Sequence, residues 1–435
     1  MMELLTEFRG FLQDNLLEEY QVVAEEVYSQ LSADIPKKVI ICEREPWKFL
    51  ASFIGVCAAK SHLFLCNPDW GESEWEYVLD LVQPDVIFGD INYSVKSVSQ
   101  SSNFSHHTPL IMIPTGGTSG NIKFAVHTWE TLSSSVKGFG EFFQICQVNS
   151  VCVLPLYHVS GLMQFLRVFI TRGKLLVVPF KEVVSYQVPN MDFFTSLVPT
   201  QLQRLLESSE GIGWLRQFKT VLLGGAPAWD EILEKARFYQ IRLAPTYGMT
   251  ETASQIVTMK PEDFLRGKVG CGQILPHASV IVNQGGSLRV SASSLMLGYY
   301  HEYDFSGGKV NDYLQVDDLG CLDAEGYLTV VGRDSDKIIT GGENVFAGEV
   351  EAAIRNTGMV LDVCVVGVAD GYWGEVVTAV YVPKFTDCSG LAGMLRLSRF
   401  KVPKFWVAVS SLPRNEGGKV NRRLVVEMVE DNKIF

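Results

Sequence analysis

Residues 114–123 read Pro114-Thr115-Gly116-Gly117-Thr118-Ser119-Gly120-Asn121-Ile122-Lys123 and follow the apolar run 110–113. Three glycines let backbone N–H groups turn toward an anion, three hydroxyls add donors, and Lys123 adds a full charge. This is the chemistry of a loop that holds phosphate, and the polyphosphate of a nucleotide would fit. The P-loop pattern is absent, because Lys123 follows Ile122 and precedes Phe124. The dinucleotide Gly-x-Gly-x-x-Gly spacing is absent too. Such clusters also form ordinary turns, so the reading needs a second polar group nearby. Thr246-Tyr247-Gly248-Met249-Thr250-Glu251 supplies one, following a strand expected over 241–245.

Apolar runs at 151–154, 162–170, 175–180, 193–198, 201–206 and 221–223 alternate as strands and helices, followed by a helix over 230–239. Alternation of this kind predicts a mainly parallel sheet covered by helices, with ligands at the carboxyl ends of the strands. Both polar motifs would then face one cleft. Short alternating strands from 279 to 297, ended by 327–331, predict a β subdomain. Beyond 335 come separate helices (348–355, 391–397, 421–429) and strands (363–368, 376–382). The expected fold class is therefore α/β. A large N-terminal domain spans 1–333, a short polar hinge 334–336, and a small mobile α+β domain 337–435.

With 435 residues, 47% of them hydrophobic, the chain can form two or three folded units. A formal net charge of -12 disfavours nucleic acid and anionic lipid as partners and favours small molecules. Nine cysteines without a Cys-x-x-Cys pair suggest neither a disulfide framework nor a zinc site, and point to a reducing compartment. The acidic N-terminus lacks a basic n-region, and no apolar run reaches membrane-spanning length. A cytoplasmic protein without membrane insertion is expected, with homo-oligomerisation left open.

Further blocks extend the pattern: Pro155-Leu156-Tyr157-His158-Val159-Ser160-Gly161, Gly224-Gly225-Ala226-Pro227, Asp317-Asp318-Leu319-Gly320 and Gly326-Tyr327-Leu328-Thr329-Val330-Val331-Gly332-Arg333. Gly341-Gly342-Glu343-Asn344-Val345, with Glu349 and Glu351, and Pro413-Arg414-Asn415-Glu416-Gly417-Gly418-Lys419 complete it. Together with the two motifs above, these blocks resemble the adenylate-forming family of acyl-CoA synthetases, peptide-synthetase adenylation domains and luciferases. The resemblance covers roughly residues 110–425, with an N-terminal portion shorter than usual. It departs at Ile122 and Phe124, where the family carries Pro and Gly around the lysine.

The resemblance implies that a carboxylate attacks the α-phosphate of ATP and that the acyl group then passes to coenzyme A as cosubstrate. It implies that Lys419 is the mobile catalytic lysine, and that Glu251 is the ligand of Mg²⁺, a hard ion that prefers oxygen. Thr115, Gly116, Gly117, Thr118, Ser119, Gly120 and Lys123 would hold phosphate, with Gly248 and Thr250 beside them. Asp318 would accept from the ribose hydroxyls, with Asp317 its neighbouring alternative, and Arg333 would donate there. Tyr247 would stack on adenine, while Gly224, Gly225 and Ala226 would let backbone approach the base or acyl chain. His158 would act as a gate beside the acyl pocket, and Ser335 as the hinge.

Residues 247–255 together with His158-Val159-Ser160-Gly161 resemble the o-succinylbenzoate-CoA ligases of menaquinone and phylloquinone synthesis, and the short N-terminal region resembles their cyanobacterial and plastid-lineage forms. That implies an aromatic dianion as the acid. Arg167, charged within the apolar run 162–170, is the candidate for its second carboxylate, with Ser254 and Gln255. Pairing of Arg167 with an acidic residue, or snorkelling to solvent, is the alternative. Another aryl or medium-chain acid remains open, as does an acyl-AMP-forming or acyl-AMP-binding protein that does not use coenzyme A.

Overall fold

Runs of apolar residues bounded by amphipathic helices fold here as strands joined by crossovers. The computed structural model describes residues 2–15, 17–32, 35–91, 108–116, 122–300, 312–386, 390–414 and 420–431. Gly117, Thr118, Ser119, Gly120 and Lys419 lie outside the described residues.

One sheet of six strands runs in the order Gly298–Tyr299, Ile122–His127, Ile111–Gly116, His62–Leu65, Lys38–Ile41, Val86–Phe88. Its core half is parallel and its other half antiparallel. Side chains alternate across it, as the pleat requires. Val39, Ile41, Leu63, Leu65, Ile111 and Ile113 enter the core shared with helices Pro46–Ala58, Trp129–Phe143 and Val159–Ile170. Ile40, Phe64, Met112 and Phe124 point the other way, onto Trp75 and Val78.

The second sheet has eleven strands. Leu175–Val177, Asn149–Cys152, Phe193–Leu197, Thr220–Leu223 and Leu243–Met249 are parallel neighbours, as the alternation predicts. Leu243–Met249 pairs antiparallel with Ser254–Thr258 on its other side. From there the sheet continues antiparallel through Gly272–Ile274, Tyr327–Arg333, Leu314–Leu322, Ser287–Ala292 and Ala278–Val282. The short strands expected as a β subdomain are thus the second half of one sheet. Leu243–Met249 and Ser254–Thr258, close in sequence, join the halves, whereas the later strands attach through the distant pairing of Gly272 with Leu328, which no local pattern announces.

The C-terminal part builds its own sheet from Glu343–Phe346, Lys337–Thr340, Gly374–Pro383, Val360–Asp370 and Phe405–Ala408. Helix Ala347–Arg355 packs on one face, and Arg422–Asp431 covers the other through Val425 and Val429. The chain is therefore a large sheet-rich N-terminal part and a smaller C-terminal one. No helix among the described residues is long and apolar enough to cross a membrane.

Candidate active site

Ile111–Gly116 and Ile122–His127 pair antiparallel, with Thr115 opposite Lys123. The loop expected over 114–123 is therefore narrower, because Pro114–Gly116 and Ile122–Lys123 are strand. Ladder hydrogen bonds fix Lys123, and its Nζ lies 4.9 Å from the centre of the Tyr299 ring. Tyr299 stands on the next strand, opposite Ala125, and its hydroxyl donates to Glu251 Oε1 at 2.6 Å. Lys123, Tyr299 and Glu251 form one chain of contacts. Tyr299 carries no sequence signal, because its partners are 176 and 48 residues away.

Glu251 sits in the tight turn Thr250–Thr252, which four bonds hold. His127 Nε2 donates to the Thr250 carbonyl at 2.8 Å, Ser135 Oγ to Ala253 at 2.8 Å, and Ser294 Oγ to Thr252 at 2.8 Å. The Met296 amide donates to the Glu251 carbonyl at 2.7 Å. Burial lowers the His127 pKa to about 4, opposed by the Thr250 carbonyl, so the imidazole is neutral and keeps its proton on Nε2. The anchors matter because Ala253 (φ 51°) and Ser254 (φ 91°) adopt left-handed backbone that side chains with a Cβ avoid.

Gly248 lies where the two strands of the turn approach, and a Cβ there would overlap the Ser254 carbonyl oxygen. Gly248→Ala should lower unfolding free energy by about 1–3 kcal/mol, the usual cost of overpacking. The urea midpoint measures this, and an unchanged midpoint would contradict the close approach.

Arg167, on helix Val159–Ile170, is 3% exposed. Its Nη2 donates to Ser254 Oγ at 2.9 Å and Gln255 Oε1 at 3.0 Å, and its guanidinium lies 4.4 Å from the centre of the Phe139 ring. The three residues named from sequence do come together. The acidic partner and the snorkelling weighed for Arg167 are not what the fold provides, since both hydrogen-bond partners are neutral and the side chain is buried. Burial pulls its pKa down to about 9, which leaves it charged at neutral pH. His158 caps the same helix as its N-terminal residue, half-buried, with its ring 4.7 Å from that of Tyr157.

At the other end, Tyr247 donates its hydroxyl to Asp318 Oδ2 at 2.8 Å. Asp318 lies opposite Arg333 in the strand pair, with Arg333 Nε 3.4 Å from Oδ1. Burial, then the charge of Asp318, raises the Tyr247 pKa far above its ordinary value, so the phenol keeps its proton as donor. Asp317 faces away, as alternate residues of a strand must. It accepts from the Ser335 amide at 3.2 Å and from the Ser335 hydroxyl, and its carbonyl accepts from the Asp334 amide at 2.7 Å. Asp318 thus faces Tyr247 and Asp317 faces residues 334–335. Gly224 abuts Thr246, where a Cβ would lie 2.5 Å from Oγ1.

A surface that sequence reading overlooked lies in the C-terminal part. Tyr372 is 85% and Trp373 40% exposed, and Lys404 Nζ lies 3.0 Å from the centre of the Trp373 ring. The Gly341 amide donates to the Trp373 carbonyl at 2.8 Å. Adjacent aromatics within Asp370-Gly371-Tyr372-Trp373-Gly374 were the available signal.

Among the described residues no three His, Cys, Asp or Glu side chains converge as a metal cage. Glu251, 9% exposed and with one oxygen engaged by Tyr299, suits an ion that takes one carboxylate and completes its shell with phosphate and water oxygens.

The AMP-binding enzyme family matches residues 92–300, and the AMP-binding enzyme C-terminal domain matches residues 349–419. A 2-succinylbenzoate–CoA ligase from Listeria monocytogenes serovar 1/2a is 33% identical over 325 residues, covering 72% of this chain and 68% of the relative. The o-succinylbenzoate CoA synthetase (MenE) of Bacillus subtilis, in complex with the acyl-adenylate intermediate OSB-AMP, superposes with a TM-score of 0.80. It is 23% identical, with 94% of this chain and 92% of that one covered. The same synthetase in complex with ATP and magnesium ion gives 0.78 at 23% identity, covering 94% and 93%. The chain belongs to the AMP-binding enzymes, in the family of the 2-succinylbenzoate–CoA ligases.

Proposed function

We propose that this protein is an AMP-forming acid–thiol ligase that joins 2-succinylbenzoate to coenzyme A, in menaquinone or phylloquinone synthesis. A carboxylate oxygen attacks the α-phosphorus of ATP, the bond to the β-phosphate oxygen breaks, and pyrophosphate leaves. The thiolate of coenzyme A then attacks the acyl carbon, the bond to the phosphate oxygen breaks, and AMP leaves. The observation that carries the substrate assignment is buried Arg167, whose side-chain hydrogen-bond partners Ser254 and Gln255 are neutral. A charge so placed calls for an anion from the ligand, and an acid with a second carboxylate supplies it. The relatives named for this acid point the same way.

Asp318 accepts from the ribose hydroxyls beside Arg333, and Tyr247, oriented by its bond to Asp318, lies against the adenine. Gly224 and Gly225 admit the base edge, and His158 gates the acyl pocket. The phosphates are assigned to Thr115, Gly116, residues 117–120, Lys123, Gly248 and Thr250. Magnesium neutralises phosphate charge when bound, and Glu251 would hold it. Lys419 brings a cation to the α-phosphate. Residues 1–333 and 337–435 act as two domains about Ser335, and rotation there exchanges Lys419 for the face of Gly341, Tyr372 and Trp373, which receives coenzyme A. Nine cysteines without a Cys-x-x-Cys pair fit a reducing compartment, the cytoplasm.

Pyrophosphate release should be selective for 2-succinylbenzoate over benzoate, hexanoate and acetate, and a thioester should form once coenzyme A is added. Release with another acid would keep the ligase and overturn the substrate. No release with any acid would favour a binding protein.

A further inference from the structure

Ser135 and Gly138 lie one turn apart on helix Trp129–Phe143 and face the same cluster. Ser135 holds the turn that presents Ser254, while Gly138 faces His277. A Cβ on Gly138 would overlap His277 Nδ1, so the missing side chain is what admits the imidazole. His277 Nδ1 and Nε2 are buried, and neither has a hydrogen-bond partner among the described residues. The same holds for Arg167 Nε and for Gln255 Nε2, on side chains 3% and 6% exposed. Buried polar groups are rarely left so, and each carries a desolvation cost. Arg167 and Gln255 are donors at these atoms, and a neutral imidazole has one N–H to give. Burial first, and then the nearby Arg167 charge, lowers the His277 pKa to about 4, so the ring is neutral at working pH. Unsatisfied donors beside a buried cation describe a socket for an anion.

Resting on the substrate reading above, we infer that His277 is a specificity-determining residue whose imidazole N–H, with Arg167 Nε and Gln255 Nε2, donates to the second carboxylate of the acid. Gly138 is the positioning residue that makes room for it. A mono-acid leaves these donors unmet, so His277 discriminates between dianion and monoanion rather than aiding the chemistry at the other end.

The test is steady-state pyrophosphate release by the full chain with two acids, 2-succinylbenzoate and 4-oxo-4-phenylbutanoate, which lacks only the ring carboxylate. His277→Ala should raise KM for 2-succinylbenzoate by about 10-fold, the scale of one hydrogen bond to a charged group, and leave KM for the mono-acid within about twofold. Gly138→Ala should do the same by displacing the ring, and His277→Gln, which keeps a donor, should recover part of the loss. An unchanged KM for ATP shows that the variants fold. Equal effects on both acids, or none on either, overturn the role of His277 while wild-type selectivity keeps the ligase assignment. A wild type that ignores 2-succinylbenzoate overturns both readings.

Discussion

Lys419→Ala is expected to slow acyl-adenylate formation by about 10²-fold or more, as loss of a transition-state cation does. Negative oxygens are pushed together as the carboxylate meets the α-phosphate, and a cation there relieves them. Lys123 lies over Tyr299, and Arg333 lies beside Asp318 at the ribose end. Three residues beyond Lys419, Arg422 ties the chain to the C-terminal part: its Nη1 donates to Glu351 at 2.6 Å and to the Val365 carbonyl at 2.7 Å, while Nε lies 3.2 Å from Asp336. The lysine therefore belongs to the part proposed to rotate and is needed in one half-reaction. Single-turnover pyrophosphate release should collapse, while thioester formation from preformed acyl-adenylate and coenzyme A should survive. Parallel loss of both would contradict the role.

Arg167→Met should raise KM for 2-succinylbenzoate by about 10²-fold or more, since truncating one partner of a buried charge pair costs about 2–5 kcal/mol. KM for ATP should stay within about twofold, because the nucleotide groups Tyr247, Asp318 and Arg333 make no hydrogen bond to Arg167. A second measurement separates this from simple damage. A buried charge with neutral hydrogen-bond partners burdens the empty protein, and an apolar side chain of similar length relieves that burden. The variant should melt no lower than wild type without substrate and gain less on adding 2-succinylbenzoate. A large drop in melting temperature, or equal rises in both KM values, would make Arg167 a structural residue.

Much of the fold and of the proposed acid-binding end is legible in the amino-acid order. Residues 151–249 alternate apolar strand and amphipathic helix, and that half of the sheet follows the pattern. Arg167 stands out as a charge in an apolar helix, and Ser254 and Gln255 open the strand that runs back beside Leu243–Met249. Other features have no local signature. Tyr299 reaches Glu251 from a two-residue strand whose pairing partner lies far back in the chain. His277 sits in a loop, and its meaning depends on a glycine 139 residues earlier. The left-handed backbone at Ala253 and Ser254 is set by side chains from 135 and 294 and by turn geometry, against the preference of either residue. Tertiary context overrides propensity at such places, and they cluster where ligands bind.

Strand Leu243–Met249 is parallel to one neighbour and antiparallel to the other. Arg167 is delivered from the parallel side, on the helix after Asn149–Cys152, whereas Asp318 and Arg333 are delivered from the antiparallel side. Residues at the seam, Tyr247 through Gln255, touch both. The two proposed ligand ends are consequently separable. Exchanging side chains on Val159–Ile170 leaves Leu314–Leu322 untouched, so the proposed acid end and the proposed nucleotide end should answer to mutation one at a time.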